Sequence, residues 1–417
     1  MSAWSKTTFG EISTGFLSGG TPDTSQANFW SGDIPWITSK WLGGNLELTS
    51  GEKFITIEAV KKSATKIIPK DSIIFATRVG VGKVGINRID LAINQDLAGV
   101  LIDNEKYDIK FIAYQLGISQ IQQYVAMNKR GATIKGITRD CLEQIRLNIP
   151  PLPEQKKIAH ILSAVQSAIE AQERIIKTTT ELKKALMHKL FTEGLRGEPQ
   201  KQTEIGLVPE SWEVKPLIDT VEFIDYGVSQ AIPKTPTPEG IKIVSTADID
   251  KQGNLLYWKI RRIMVPAKTA KRLVLKDGDV LFNWRNSAEL IGKSTIYEEQ
   301  EEPHIFASFI LRICAGETKS HNYFLKHLMN HYREEGVFVK LARRAVNQAN
   351  YNKNEISVLK IPSPPYDEQV QIAIAIGAID AKTRNHINKK CGLEDLFHTL
   401  LHELMTAKTR DHNTEIK

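Results

Sequence analysis

Ile149-Pro150-Pro151-Leu152-Pro153-Glu154-Gln155 opens a long helical run, and Ile361-Pro362-Ser363-Pro364-Pro365-Tyr366-Asp367-Glu368-Gln369 opens another. Glu154 and Glu368 are 214 residues apart, and the same offset pairs Ile158 with Ile372, Leu182 with Leu396, Leu186 with Leu400 and His188 with His402. Upstream, Trp4 falls on Trp212, Phe75 on Phe282 and Arg78 on Arg285, at offsets of 208, 207 and 207. Gly82-Lys83 meets Gly292-Lys293, and Gly131-Ala132-Thr133-Ile134 lies opposite Arg343-Arg344-Ala345-Val346. The chain is a tandem duplication, and its period is far too long for a solenoid unit, so each copy is a domain plus a helix. Matched ends with divergent middles imply one fold carrying two different surfaces.

Each copy predicts the same order of elements. In the first, Ser72-Ile73-Ile74-Phe75-Ala76 is an apolar strand bounded by turn residues, and a helix is expected over Ile109 to Met127. In the second, Val280-Leu281-Phe282 is the strand and Tyr323 to Val339 the helix. From Glu154 to Thr192 the apolar residues Ile158, Ile161, Val165, Ala168, Ile175, Leu182 and Leu186 alternate at three and four, with Gln172 and Thr179 filling seam positions. Gly194, Gly197 and Pro199 supply the stop. Glu368 to Thr406 carries a similar, less regular stripe through Ile372, Ile376, Ile379, Ile387, Leu393, Leu396, Leu400 and Leu404. Each stripe needs a partner, and the nearest available is the other helix. A run of nearly forty residues spans about 55 Å.

Composition bounds the function. The chain has 417 residues, 41% of them apolar, and carries a net charge of +7, which is ordinary for a folded protein and compatible with nucleic acid. No apolar run of membrane-spanning length and no apolar leader is found, so no membrane association is expected and the cytoplasm is the expected compartment. Cys141, Cys314 and Cys391 are far apart and odd in number, fitting neither a disulfide framework nor a zinc site. Local basic pairs stand out at Lys129-Arg130, Arg261-Arg262, Lys271-Arg272 and Arg343-Arg344. Such pairs serve phosphate when several share a face, and are otherwise plain solvated surface.

Catalytic signatures are missing. Gly80-Val81-Gly82-Lys83-Val84-Gly85 spells G-x-G-x-x-G after a strand, but Val84 to Ile93 reads as more strand, where a dinucleotide site needs a helix. A hairpin presenting Arg78 and Lys83 is the better account. His398 and His402 are four apart without the glutamate of a zincin, and His327 and His331 show no third ligand, so no metal set is assigned. Neither a P-loop nor the Asn/Asp-Pro-Pro-Tyr/Phe segment of amino-methyltransferases is present. A binding or targeting subunit is expected.

The chain resembles the DNA-specificity (S) subunits of type I restriction-modification systems over almost its whole length. The resemblance rests on Pro150-Pro151-Leu152-Pro153-Glu154-Gln155 with Ile158-Ala159, and on the segment from Leu182-Lys183-Lys184 to Phe191-Thr192-Glu193-Gly194. It also rests on Val208-Pro209-Glu210-Ser211-Trp212, and on the Gly19-Gly20-Thr21-Pro22 loop followed by Ile34-Pro35-Trp36-Ile37. It implies an α+β fold in which two tandem mixed α/β target recognition domains (1–148 and 199–360) are separated by two long antiparallel coiled-coil helices (149–198 and 361–417) in a pseudo-twofold repeat. It further implies a non-catalytic subunit that directs methylation and restriction to a bipartite site on double-stranded DNA, the helices setting the gap. Its partners would be two modification subunits and the restriction subunits, which would carry the S-adenosylmethionine, ATP and magnesium. Expected DNA contacts are Lys40, Arg78, Lys83, Lys129 and Arg130 in the first domain and Arg285, Asn286, Lys293, Arg343 and Arg344 in the second. Gln155, Lys156, Lys183 and Lys189 are the expected partner-binding positions. The second copy has Tyr226-Gly227-Val228-Ser229 where the first has Gly-Gly-Thr-Pro, which leaves that loop's contacts open. The competing reading is a protein-binding scaffold dimerising through its helices. Salt-sensitive DNA affinity separates the two.

Overall fold

A computed structural model of the chain describes residues 4–406 apart from 132–134, 234, 236–237, 317, 342 and 346–347. It forms two compact units, one of Met1–Arg174 with Ile387–Lys417 and one of Ile175–His386. No helix among the described residues is long and apolar enough to cross a membrane.

The first unit is layered around the strand read from sequence. Ser72–Ala76 is buried along its whole length and sits third in a five-stranded sheet with Ser13–Ser18, Leu97–Ile102, Val84–Asn87 and Glu47–Leu48. Ile73 and Phe75 point into a core shared with Phe111, Ile112 and Leu116. Ile74 and Ala76 point the other way, against Ile37, Leu91 and Ile93 of a second, four-stranded sheet. A strand covered on both faces has no polar alternation to show, which explains its continuous apolar run. The second unit repeats the plan: Val280 and Phe282 face the helical core, while Leu281 faces Ile243, Ile263 and Ile305. In both second sheets one pair of strands is parallel, Ile34–Ile37 with Leu91–Ile93 and Ile241–Val244 with His304–Phe306.

The expected domain helices are each broken in two. The first consists of Ile109–Leu116 and Ser119–Met127, interrupted where Ile118 is extended after Gly117. Asn322–Glu334 is followed by Val337–Leu341, because Gly336 between them takes φ +72°, a left-handed value that ends a helix. Apolar spacing survives such a break, so periodicity alone did not reveal it.

The duplicated Pro-rich segments form matching clamps. Each domain begins and ends in a two-stranded neck, Ser5–Thr8 against Arg146–Ile149 and Glu213–Pro216 against Lys360–Ser363. Beyond the neck, the Trp4 indole donates to Glu154 at 3.1 Å and the Trp212 indole to Glu368 at 3.2 Å. The next residue clasps the domain: Gln155 accepts from the Asp108 amide at 2.9 Å and donates to the Pro150 carbonyl at 2.9 Å. Gln369 accepts from the His321 amide at 2.9 Å and donates to the Pro364 carbonyl at 3.0 Å. Glu-Gln thus fastens the first turn of each long helix to the tryptophan at the entry of its own domain and to a helix start within that domain.

The long helices are Leu152–Thr192 and Tyr366–Met405. In the first unit, Ile158, Ala159 and Leu162 join the domain core together with Leu404 and Met405, and Glu173 pairs with Lys390 at 2.9 Å. In the second, Met187, Leu190 and Phe191 join the core with Ile372, Ala373 and Ile376, and Lys183 pairs with Asp380 at 2.6 Å. Lys183 lies ten residues after Glu173 and Asp380 ten before Lys390, so both units hold their helix segments in the same antiparallel register. Thr179 is buried as a seam residue. Gly194, at φ +68°, closes the first helix where an added Cβ would lie 2.9 Å from Glu368 and 3.1 Å from Trp212. Leu182 and Leu396 depart from the expected stripe, being 58% and 45% exposed.

Candidate nucleic-acid interface

After Ser72–Ala76 the chain turns through Thr77 to Lys83 and returns as Val84–Asn87. Gly80 and Gly82 take φ +67° and +98° in that turn. The segment before the neck comes back to the same place, the Ile137 amide donating to Thr77 O at 2.8 Å while Arg130 and Gly136 form a two-way bridge. Arg78 and Arg130, far apart in sequence, therefore line one cleft of about 580 Å³ with Gln95, Thr77, Thr138 and Arg139. Arg139 is engaged by Glu143 at 2.6 Å and lies over the Phe16 ring. Among the described residues, neither Arg78 nor Arg130 has an ion-pair partner, and both are exposed. Residues 132–134 lie outside the described set.

Gly19-Gly20-Thr21-Pro22 borders this cleft. Gly19 lines it, Thr21 donates to Gln95 at 2.5 Å, and the Gly20 amide donates to Ile93 O at 2.9 Å. A Cβ on Gly19 would sit 2.1 Å from the Asn94 carbonyl, so the loop needs glycine to approach that backbone. In the second copy a Cβ on Gly227 would sit 2.2 Å from the Phe306 carbonyl, and the Val228 amide donates to Phe306 O at 2.8 Å. The loop's backbone contact is thus kept while its side chains change.

The second unit builds the corresponding surface on the same backbone plan. Arg285–Asn286 pairs with Gln348–Asn350, which pairs with Arg343–Ala345, and the Tyr351 amide donates to Trp284 O at 3.0 Å. Arg285, Asn286, Arg343 and Arg344 therefore lie on one three-stranded sheet, although the side chains of Arg343 and Arg344 lie outside the described part of the structure. The environment differs from the first copy: the Arg285 guanidinium is 4.9 Å from the Phe309 ring, and Trp284 packs edge-on to Tyr226 and Phe309. An arginine among aromatic faces offers stacking as well as charge; the first cleft sets Arg78, Arg130 and Gln95 beside an apolar lining in which Phe16 lies under Arg139.

One of the expected contacts, Lys293, is corrected by its burial, and a second, Lys83, has its ammonium engaged within the protein. Lys293 is 4% exposed, and its ammonium donates to Thr246 O at 2.9 Å and Ile249 O at 2.5 Å; burial pushes its pKa down. Lys83 is exposed, and its ammonium donates to Leu42 O at 2.9 Å while its stem runs beside Gly43 and Gly80. In both copies the Gly-Lys pair ties the hairpin to the loop after the second sheet's first strand, Lys293 from behind the surface and Lys83 from its exposed side. The signal was in the repeat: a lysine kept in both copies of a divergent surface suits scaffold better than readout. Lys40, two residues before Leu42, is exposed, as is Arg130, and Lys129 is half-buried.

Among the expected partner-binding positions, Gln155 is 1% exposed and fully engaged in the clamp, so it presents nothing outward. Lys183 is held by Asp380. Lys156 and Lys189 are exposed.

A family profile described as the type I restriction modification DNA specificity domain matches residues 1–180 and again 209–394. The putative type I restriction enzyme MjaX specificity subunit of Methanocaldococcus jannaschii is 34% identical over 180 residues, 43% of this chain and 42% of that protein. The MjaVIII specificity subunit of the same organism is 27% identical over 319 residues, 74% of this chain and 72% of that one. The match to the first of these thus spans less than half its length. The crystal structure of a type I restriction-modification S subunit from M. genitalium shares the fold, with a TM-score of 0.62 at 14% identity over 98% of this chain and 97% of that one. With the profile matched once on each copy and over most of the sequence, the chain belongs to the type I restriction-modification DNA specificity family.

Proposed function

We propose that this chain is the DNA-reading subunit of a type I restriction-modification enzyme, acting in the cytoplasm on double-stranded DNA. Residues 1–148 and 199–360 are the two target recognition domains, and the helical segments 149–198 and 361–417 are the spacer between them. The observation that carries this reading is the convergence of Arg78 with Arg130, and of Arg285 with the strand holding Arg343, on one backbone plan used twice. Cations shared by both copies suit phosphate, which is the same at every sequence, while side chains that differ between copies suit bases. Gln95 and Lys129 in one copy, and Asn286 with the aromatic group around Trp284 in the other, are the candidates for readout. A helix of 41 residues is about 60 Å long, more than one turn of B-DNA.

The chain performs no bond-making step in this reading. Two modification subunits bind S-adenosylmethionine and methylate each half-site, and restriction subunits supply ATP- and magnesium-dependent translocation and cleavage. Each unit offers its own candidate docking positions, Lys156 and the exposed Leu396 in the first and Lys189 and the exposed Leu182 in the second, the two leucines occupying one repeat position. Selection from random duplexes by the chain together with its modification subunit should return a two-part site with a fixed gap. Recovery of one contiguous site would contradict the proposal.

A further inference from the structure

We propose that His188, His331 and Glu335 form a binding site in the second unit for one divalent transition-metal ion of the zinc class. His331 and Glu335 are one helical turn apart at the end of Asn322–Glu334, so they share a face. His188 comes from the last turns of the first long helix. One ligand atom from each of the three lies within 4.8 Å of the others. Two imidazoles and a carboxylate are the donors zinc takes, leaving a fourth position for water.

The three groups divide into a fixed one and two adjustable ones. His331 is 5% exposed and stacks on Phe191 at 5.2 Å and 29°, which sets its ring plane. Burial holds it below the ordinary imidazole range, so it offers a neutral ring, the form that ligates. His188 and Glu335 are exposed. Tetrahedral zinc with bonds of about 2.0–2.1 Å brings neighbouring donors to roughly 3.3 Å, so a closure of at most about 1.5 Å from the 4.8 Å limit falls on the two exposed side chains. The carboxylate offsets charge that Lys184 and the ion would otherwise place beside the rings.

The duplication supplies an internal control. His402 repeats His188. Since the His321 and Asp108 amides occupy equivalent places in the two clamps, His331 corresponds to Ile118, which cannot ligate. One ion per chain is therefore expected, fastening the end of the first long helix to a helix of the second domain. The sequence already held the His331-x-x-x-Glu335 spacing; His188 became visible as the third donor only through the fold.

The test is calorimetric titration of the untagged full-length chain with zinc chloride, with cobalt(II) absorption as an independent report of coordination geometry. One equivalent should bind, raising the melting midpoint, and His188→Gln and Glu335→Gln should each weaken binding by at least about tenfold. His402→Gln should bind as the unaltered chain does. Both ligand variants alter exposed side chains, and their metal-free melting curves should match that of the unaltered chain, which separates lost binding from lost folding. Absence of saturable binding in the unaltered chain, or unchanged affinity in both ligand variants, would overturn the site.

Discussion

The repeated residues of this chain fall into two groups that only their contacts distinguish. Glu154-Gln155 and Glu368-Gln369 are spent on the clamps, with each glutamine satisfying a helix-start amide and a proline carbonyl. Removing such a buried partner leaves both groups unpaired, so Gln155→Ala and Gln369→Ala should each cost roughly 1–3 kcal/mol in denaturant unfolding. Arg78 and Lys83 stand five positions apart on one hairpin, yet one faces the cleft and the other reaches back to Leu42. In DNA binding at several salt concentrations, Arg78→Ala should reduce the slope of log K against log salt by about 1. Lys293→Met should lower the melting midpoint and leave that slope unchanged; a changed slope would return Lys293 to the DNA surface. The place of Arg78 on an open hairpin surface was legible from the strand-glycine-strand pattern around it. The lysines were not, because their acceptors are 41, 44 and 47 residues away in sequence.

At the scale of elements, the strands and long helices follow directly from apolar runs and spacing, and the departures have local causes. Gly336 breaks a helix by its left-handed backbone, and Leu182 and Leu396 leave the stripe because heptad spacing does not say which apolar residue faces the other helix. The segment around Asn322–Glu334 also carries a pH sensitivity that periodicity hides. Burial holds His321 and His327 below the usual imidazole range, His327 well below it. The surroundings of His327 are Asp380, whose carboxylate is 4.0 Å away, and Lys326, Lys183 and His321, which oppose its protonation. His304, on another strand of the unit, is lowered by burial as well. Because the unfolded imidazoles titrate near about 6.5, the unfolded chain takes up protons first, and the contribution present above that pH is lost as pH falls through the folded values. Melting midpoints should therefore drop between pH 7.5 and 5.5, with amide exchange accelerating in the second unit. The drop should shrink in His327→Gln, and an equal drop in that variant would assign the effect elsewhere. The first 151 residues contain no histidine, so their exchange should respond less.

For the whole molecule, duplication accounts for both sameness and difference. What the copies share is mechanical: necks, Trp–Glu contacts, Gln clasps, Gly-Lys ties and one antiparallel register of helix segments. What they do not share is the lining of the two surfaces, three arginines with Gln95 and Phe16 around the cleft beside Arg78, and Trp284, Tyr226 and Phe309 around Arg285. Two unlike surfaces on like frames are what an asymmetric two-part address requires, with the helices as its ruler. The direct test is to insert one heptad into each long helix, after Arg174 and before Ile387, and to select the bound sites from random duplexes with the modification subunit. Seven residues add about 10 Å of helix, or about three base pairs at 3.4 Å each, so the gap should lengthen by about that amount with both half-sites unchanged. An unaltered gap, or altered half-sites, would contradict the account.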